Sequence, residues 1–133
     1  MQIDKWQHVA LVHMSDTVLI YLNGNPVPTM LDPASVGYGA NNVNAQTLLI
    51  GAYRNQFGAL STYFFGQMDE CRVWNVARSQ EQIIEWMAGV NGLDAQQGLI
   101  SAWHFGEGVG MNVGDSNGSN DGALVDGTTF STI

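Results

Sequence analysis

Two runs of strand-forming residues, Trp6 to His13 and Thr17 to Leu22, are apolar on both of their faces, and this constrains the fold more than any other feature of the chain. In the second run Leu19 and Tyr21 alternate with Val18, Ile20 and Leu22. A strand that shows apolar side chains to both sides has to be covered on both sides, so these runs belong inside layered β-structure. Asn23-Gly24 follows at once. Both residues tolerate the positive φ of a two-residue hairpin turn, which predicts pairing of Tyr21 and Leu22 with the residues just before Pro28.

Further strand patterns appear at Thr47 to Gly51, at Tyr63 to Trp74 with a bulge at Gly66, and at Leu99 to Phe105, with short strands near Ala123 and Thr129. Met30 to Asn44, rich in Gly, Asn and Pro, reads as a long surface loop. One helix is expected. Ser79 with Gln82 three residues on makes a capping box, Ile83 and Met87 lie one turn apart, and Gly89 is placed to stop it. Several short strands with one helix predict an all-β fold, a two-sheet antiparallel β-sandwich in a single domain spanning residues 1–133.

Composition narrows the partners. The 133 residues are 45% hydrophobic, enough to bury about two-thirds of the unfolded surface, and this excludes intrinsic disorder. Four Lys and Arg against twelve Asp and Glu give a formal charge of −8, which repels a phosphate backbone and an anionic membrane alike. Neither nucleic acid nor membrane is an expected partner. Cys71 is the only cysteine, so an intramolecular disulfide and a multi-cysteine zinc site are excluded. The first residues, Met1-Gln2-Ile3-Asp4-Lys5, have neither the basic region nor the apolar stretch of a signal peptide.

Phe65-Gly66-Gln67-Met68-Asp69-Glu70-Cys71-Arg72-Val73-Trp74 followed by Asn75-Val76-Ala77-Arg78-Ser79 resembles the closing motif of concanavalin A-like, laminin G-like jelly rolls. Trp6-Gln7-His8-Val9-Ala10, Tyr21-Leu22-Asn23-Gly24 and Leu49-Ile50-Gly51 match upstream pieces of that pattern in order and spacing. The tail, Gly98 to Gly110 and Asp115 to Gly122, resembles the segment that usually opens such a domain. Because the closing half precedes the opening segment, the chain reads as a jelly roll that is permuted, shortened or cut from a larger protein. The resemblance implies a non-catalytic recognition module at the cell surface or outside the cell. Its ligand is expected to be carbohydrate, or a neighbouring protein domain in an adhesive role.

The chemistry-bearing residues agree with a module that is not an enzyme. Glycosidases on this jelly roll set two or three carboxylates on alternate positions of one strand, whereas Asp69 and Glu70 are adjacent and point to opposite faces. Glu70 is expected to form an ion pair with Arg72 beside a packed Trp74. Cys71 reads as a core thiol, and His8 and His104 as core histidines. Gly106, Gly108, Gly110 and Gly114 lack the following helix that a phosphate loop needs.

Asp115, Asn117, Ser119, Asp121 and Asp126 carry oxygen donors at positions 1, 3, 5, 7 and 12 of a calcium loop, but Asn120 replaces the turn-making Gly and no helix flanks the loop. Related jelly rolls join such an Asp-Asn-Gly loop to a carboxylate on a neighbouring strand. That implies a Ca²⁺ site from Asp69, Asp115, Asn117 and Asp121, with plain turn formation by the same residues as the alternative. For the ligand face the candidates are Tyr38 and Tyr53 as stacking platforms, with Asn41, Asn42, Arg54 and Asn55 beside them to bond sugar hydroxyls. Trp6, Trp74 and Trp103 are expected in the core. The doubly apolar strands from Trp6 and Thr17 are covered either by the tail from Leu99, giving a monomer, or by a second chain, giving a homodimer.

Overall fold

The computed structural model describes residues 4–14, 17–28, 47–87 and 96–131. Its strands are β1 (Val9–Met14), β2 (Thr17–Leu22), β3 (Asn25–Val27), β4 (Tyr53–Arg54), β5 (Leu60–Ser61) and β6 (Cys71–Trp74), then helix α1 (Gln80–Trp86), then β7 (Leu99–Trp103), β8 (Asn112–Val113) and β9 (Gly122–Ala123). They pair as antiparallel sheets β1-β2-β3, β4-β5, β6-β7 and β8-β9. The fold class is all-β with one short helix.

The Asn23-Gly24 hairpin forms as its residue types dictate. Asn23 at φ 49° and Gly24 at φ 75° make the turn, and Leu22 pairs with Asn25 and Tyr21 with Pro26. The Asn23 carboxamide accepts from the backbone N–H of His8, and the Asn23 N–H donates to the His8 carbonyl, which locks the end of the β1-β2 ladder. α1 docks on this turn. A Cβ at Gly24 would lie 2.5 Å from Ile84 Cγ1, so glycine is required there by the close approach as well as by its φ. The Gln80 amide also donates to the Gly24 carbonyl.

Ser79 caps α1 through the reciprocal bonds its spacing predicts, its Oγ accepting from Gln82 N and its N–H donating to Gln82 Oε1. Held in this way, α1 buries Ile83 against Val12 and Tyr21, with Ala10 and Leu19 packed alongside. Met87 is the C-cap, and Gly89 falls outside the described residues.

The second core is built by the tail. β7 pairs with β6 in the register Cys71 to Trp103 and Val73 to Ser101, with a shift at Trp74. Trp103, Val113 and Leu124 are buried together, and Cys71, Val73, Phe105 and Phe130 pack against them. The Cys71 thiol is half-buried here, and burial pushes its pKa up against the opposing pull of Arg72.

Several expectations need correction. Thr47 to Gly51 is no strand: Gly51, at φ 81°, turns the chain, and the segment forms no ladder among the described residues. The strand expected from Tyr63 begins only at Cys71, because β7 ends at Trp103 and Glu70, at φ 53°, breaks the extended run. Gly66 is therefore no bulge, and Thr129 lies in no strand.

Trp6 precedes the ladder and is 55% exposed, so it is not core. His104 is half-exposed for a similar reason, lying one residue past the end of β7. The tail docks, but on β6 and not across β1 and β2. The face of β1 that carries Val9 and Leu11 accordingly stays exposed while α1 covers the opposite face.

Candidate functional site

β4 and β5 form a small hairpin closed by Asn55 to Ala59. Asn55 is the organiser of this turn: its N–H donates to the Ala59 carbonyl, its carbonyl accepts from Gly58 N, and its side-chain Oδ1 accepts from Phe57 N and Ala59 N at 3.0 and 3.1 Å. Arg54 reaches along the turn and donates from Nη1 to the Gly58 carbonyl at 2.7 Å. Against this hairpin lies a cleft of about 590 Å³ whose walls include Leu49, Ala52, Tyr53, Arg54, Asn55 and Gly58.

Tyr53 is 60% exposed there. The cleft is thus lined by Tyr53, Arg54 and Asn55, the three expected ligand residues from this part of the chain. Because the Asn55 oxygen is spent on the turn, only its NH₂ can serve a ligand. Tyr38, Asn41 and Asn42 fall outside the described residues.

The loop after β8 is centred on Asp115. Its Oδ1 accepts from Ala102 N at 2.9 Å and from Asn117 N and Gly118 N at 3.1 Å, and its Oδ2 accepts from Asn120 N at 3.1 Å. Burial alone would raise the Asp115 pKa. Hydrogen bonds from Ala102, Ser101, Asn117 and Asn120 outweigh it and hold the carboxyl well below the usual range. Asp121 Oδ1 accepts from Asp115 N, and the Asn117 amide donates to the carbonyls of Leu99 and Ile100. Asp69 accepts from its neighbour's N–H at Glu70.

These donors do not fit a calcium ion. Calcium takes six to eight oxygens whose lone pairs are turned towards it, while the Asp115 lone pairs are turned towards backbone N–H groups. Among the described residues no three His, Cys, Asp or Glu side chains gather as a metal site would need.

Sequence reasoning missed one side-chain row. Arg72 is paired with Glu70 as expected, but Glu70 Oε1 also meets His104 Nδ1 at 2.9 Å, and His104 Nε2 meets Ser116 Oγ at 2.9 Å. Nothing in the spacing of residues 70, 104 and 116 signals this, since the β6-β7 register creates it. The order of groups is that of an acid, a base and a hydroxyl nucleophile, yet acyl transfer also needs N–H donors aimed at a developing oxyanion. Here Ser116 N donates to the Ala102 carbonyl, and Asn117 N and Gly118 N are committed to Asp115. The row clasps the loop to the sheet.

A second cluster is structural in the same sense. Trp74 and Trp86 stack with centroids 5.2 Å apart, and the Arg78 guanidinium lies 4.3 and 3.8 Å from their ring centroids. Burial lowers the Arg78 pKa, opposed by Glu85. This pins α1 to β6. His8, expected in the core, is only half-buried, and its pKa is lowered by burial and then by Arg72.

A family model described as the concanavalin A-like lectin/glucanases superfamily, of laminin G type, matches residues 1–84 and so covers β1 to most of α1, including the cleft hairpin. The tail that resembles an opening segment lies beyond that match. No curated protein and no solved structure matches the chain. With more than half of its length matched, and with the hairpin, the Asn-Val-Ala-Arg-Ser turn and the capped helix in place, the chain belongs to the concanavalin A-like lectin/glucanase superfamily of β-sandwich domains.

Proposed function

We propose that this chain is a non-catalytic recognition module that binds carbohydrate in the cleft beside β4 and β5. The observation that carries the reading is the convergence of Tyr53, Arg54 and Asn55 on one cleft. An exposed aromatic face stacks on the apolar face of a pyranose, and fixed amide and guanidinium donors bond its hydroxyls. Laminin G-like domains are generally binding modules and typically extracellular, which supports this role and that location. Carboxylate geometry agrees, because Asp69 and Glu70 do not form a pair across a bond: Asp69 accepts from the Glu70 backbone while Glu70 faces Arg72 and His104.

A second reading has its own observation. Val9 and Leu11, 52% and 66% exposed, share a sheet face with their cross-strand partners Leu22 and Ile20, and Val27 continues it beside Ile20. A flat apolar face of this kind suits contact with a protein domain, the adhesive alternative. Glycan-array binding of the wild type and Tyr53→Ala decides between the two. The carbohydrate reading expects wild-type binding that Tyr53→Ala abolishes. Equal binding by both, or none by either, removes it.

A further inference from the structure

Arg54 is the cation of this acidic chain that stands in the cleft without a carboxylate. The chain has four Lys and Arg. Arg72 is paired with Glu70, Arg78 lies against the Trp74 and Trp86 rings, and Lys5 is exposed ahead of β1. Among the described residues no carboxylate comes within ion-pair distance of Arg54; its one hydrogen bond there runs from Nη1 to the carbonyl of Gly58, itself a cleft residue.

That bond tethers the guanidinium to the hairpin that lines the cleft, and Nε and Nη2 have no hydrogen-bond partner among the described residues, so that edge is available to two oxygens at once. Tyr53 and Arg54 are consecutive in β4 and leave the strand on opposite faces. Only the return of the Arg54 side chain to Gly58 brings its charge back to the cleft.

A guanidinium without a carboxylate partner fits a planar carboxylate better than a neutral hydroxyl, because two parallel charge-assisted hydrogen bonds form where a hydroxyl offers one acceptor. The formal charge of −8 sets the opposite limit: a densely charged polyanion brings many charges near the protein and gains one favourable contact. Resting on the carbohydrate reading above, we infer that the cleft selects a sugar bearing a single carboxylate, a terminal uronic acid or its equivalent, and holds that carboxylate on Arg54.

The experiment is an array of matched oligosaccharides that differ only at the terminal sugar, neutral hexose or uronic acid, with polysulfated chains as a third arm. Wild type, Arg54→Gln, Arg54→Lys and Tyr53→Ala are compared, and circular dichroism verifies that each folds. The uronic-acid form should bind at least about tenfold more tightly than its neutral match, the value of one charge-assisted pair. Arg54→Gln should erase that preference, weakening the uronic-acid form at least about tenfold more than the neutral form, Arg54→Lys should keep part of it, and Tyr53→Ala should abolish binding of both forms. Equal affinity for acidic and neutral forms overturns the inference and leaves the carbohydrate reading standing. So does an acid preference that survives Arg54→Gln, or tighter binding of the polysulfated arm. Absence of binding in every arm removes the carbohydrate reading along with the inference.

Discussion

Replacing Asp115 by alanine removes the acceptor for four backbone N–H groups at once. Ala102 is fully buried, so its N–H cannot be rehydrated and its loss costs about 2 kcal/mol. The donors at Asn117, Gly118 and Asn120 lie nearer solvent, recover water in part, and cost about 0.5 kcal/mol each. The sum is about 3.5 kcal/mol, a large share of the roughly 5–15 kcal/mol that holds a domain of this size together. In urea the unfolding midpoint of Asp115→Ala should fall by about 2 M at pH 7.

The pH dependence has a definite sign. The folded Asp115 pKa is depressed, so the native state binds the proton more weakly than the unfolded chain does. Its contribution is complete above the ordinary value of 3.8 and is lost as pH falls below it. His8, also depressed in the fold, loses stability in the same direction but starting below 6.5. Wild type and Asp115→Ala should therefore lose stability in parallel between pH 7 and about pH 5, and their curves should converge only below about pH 4. A midpoint within about 0.5 M of wild type at pH 7, or a difference that does not shrink at pH 3, refutes the argument that this carboxylate organises the loop.

Three further outcomes are expected. Ser79→Ala removes the cap that holds α1 over Val12 and Tyr21 and should cost about 1 kcal/mol in urea unfolding, with Ser79→Asp retaining most of it. Because the lone pairs of Asp115 are taken by N–H groups, the melting temperature should be the same in millimolar calcium and in chelator; a rise with calcium would show a site that the Asp115 geometry does not provide. Deleting residues 98–133 takes Trp103, Val113 and Leu124 from the second core and leaves Cys71 and Val73 uncovered, so the shortened chain should aggregate. A soluble, cooperatively melting monomer would show that β6 does not need β7.

Local signals were the legible part of the fold. Asn23-Gly24 sets its own φ angles, Ser79 and Gln82 sit at the only spacing that lets each reach the other's backbone, and both features formed as read. Strand length was not legible, because a β-pattern states that a residue can pair and says nothing of whether a partner reaches it. Tyr63 to Glu70 has strand composition, but its potential partner runs out at Trp103, and Phe65 is left 94% exposed. Apolarity on both faces of β1 and β2 was read as a requirement for two covers. α1 supplies one, and the other face holds Val9 and Leu11 in the open because the tail closes on β6 instead.

The candidate site divides along the same line. Tyr53, Arg54 and Asn55 are contiguous, so one hairpin carries all three to the cleft whatever the rest of the chain does. Asp69 and Asp115 are forty-six positions apart, and their meeting depended on a sheet register that residue types do not encode. An Asp-x-Asn-Gly loop satisfies its carboxylate equally well with a cation or with N–H groups, since either supplies positive charge to the same lone pairs. The difference lies in where the neighbouring backbone points. Here β7 runs beside the loop closely enough for Ala102 N to reach Asp115, and the turn folds Asn117, Gly118 and Asn120 inwards onto it. Four backbone N–H groups thereby hold this carboxylate as part of the chain, which ties the order of the loop to the docking of β7 beside it.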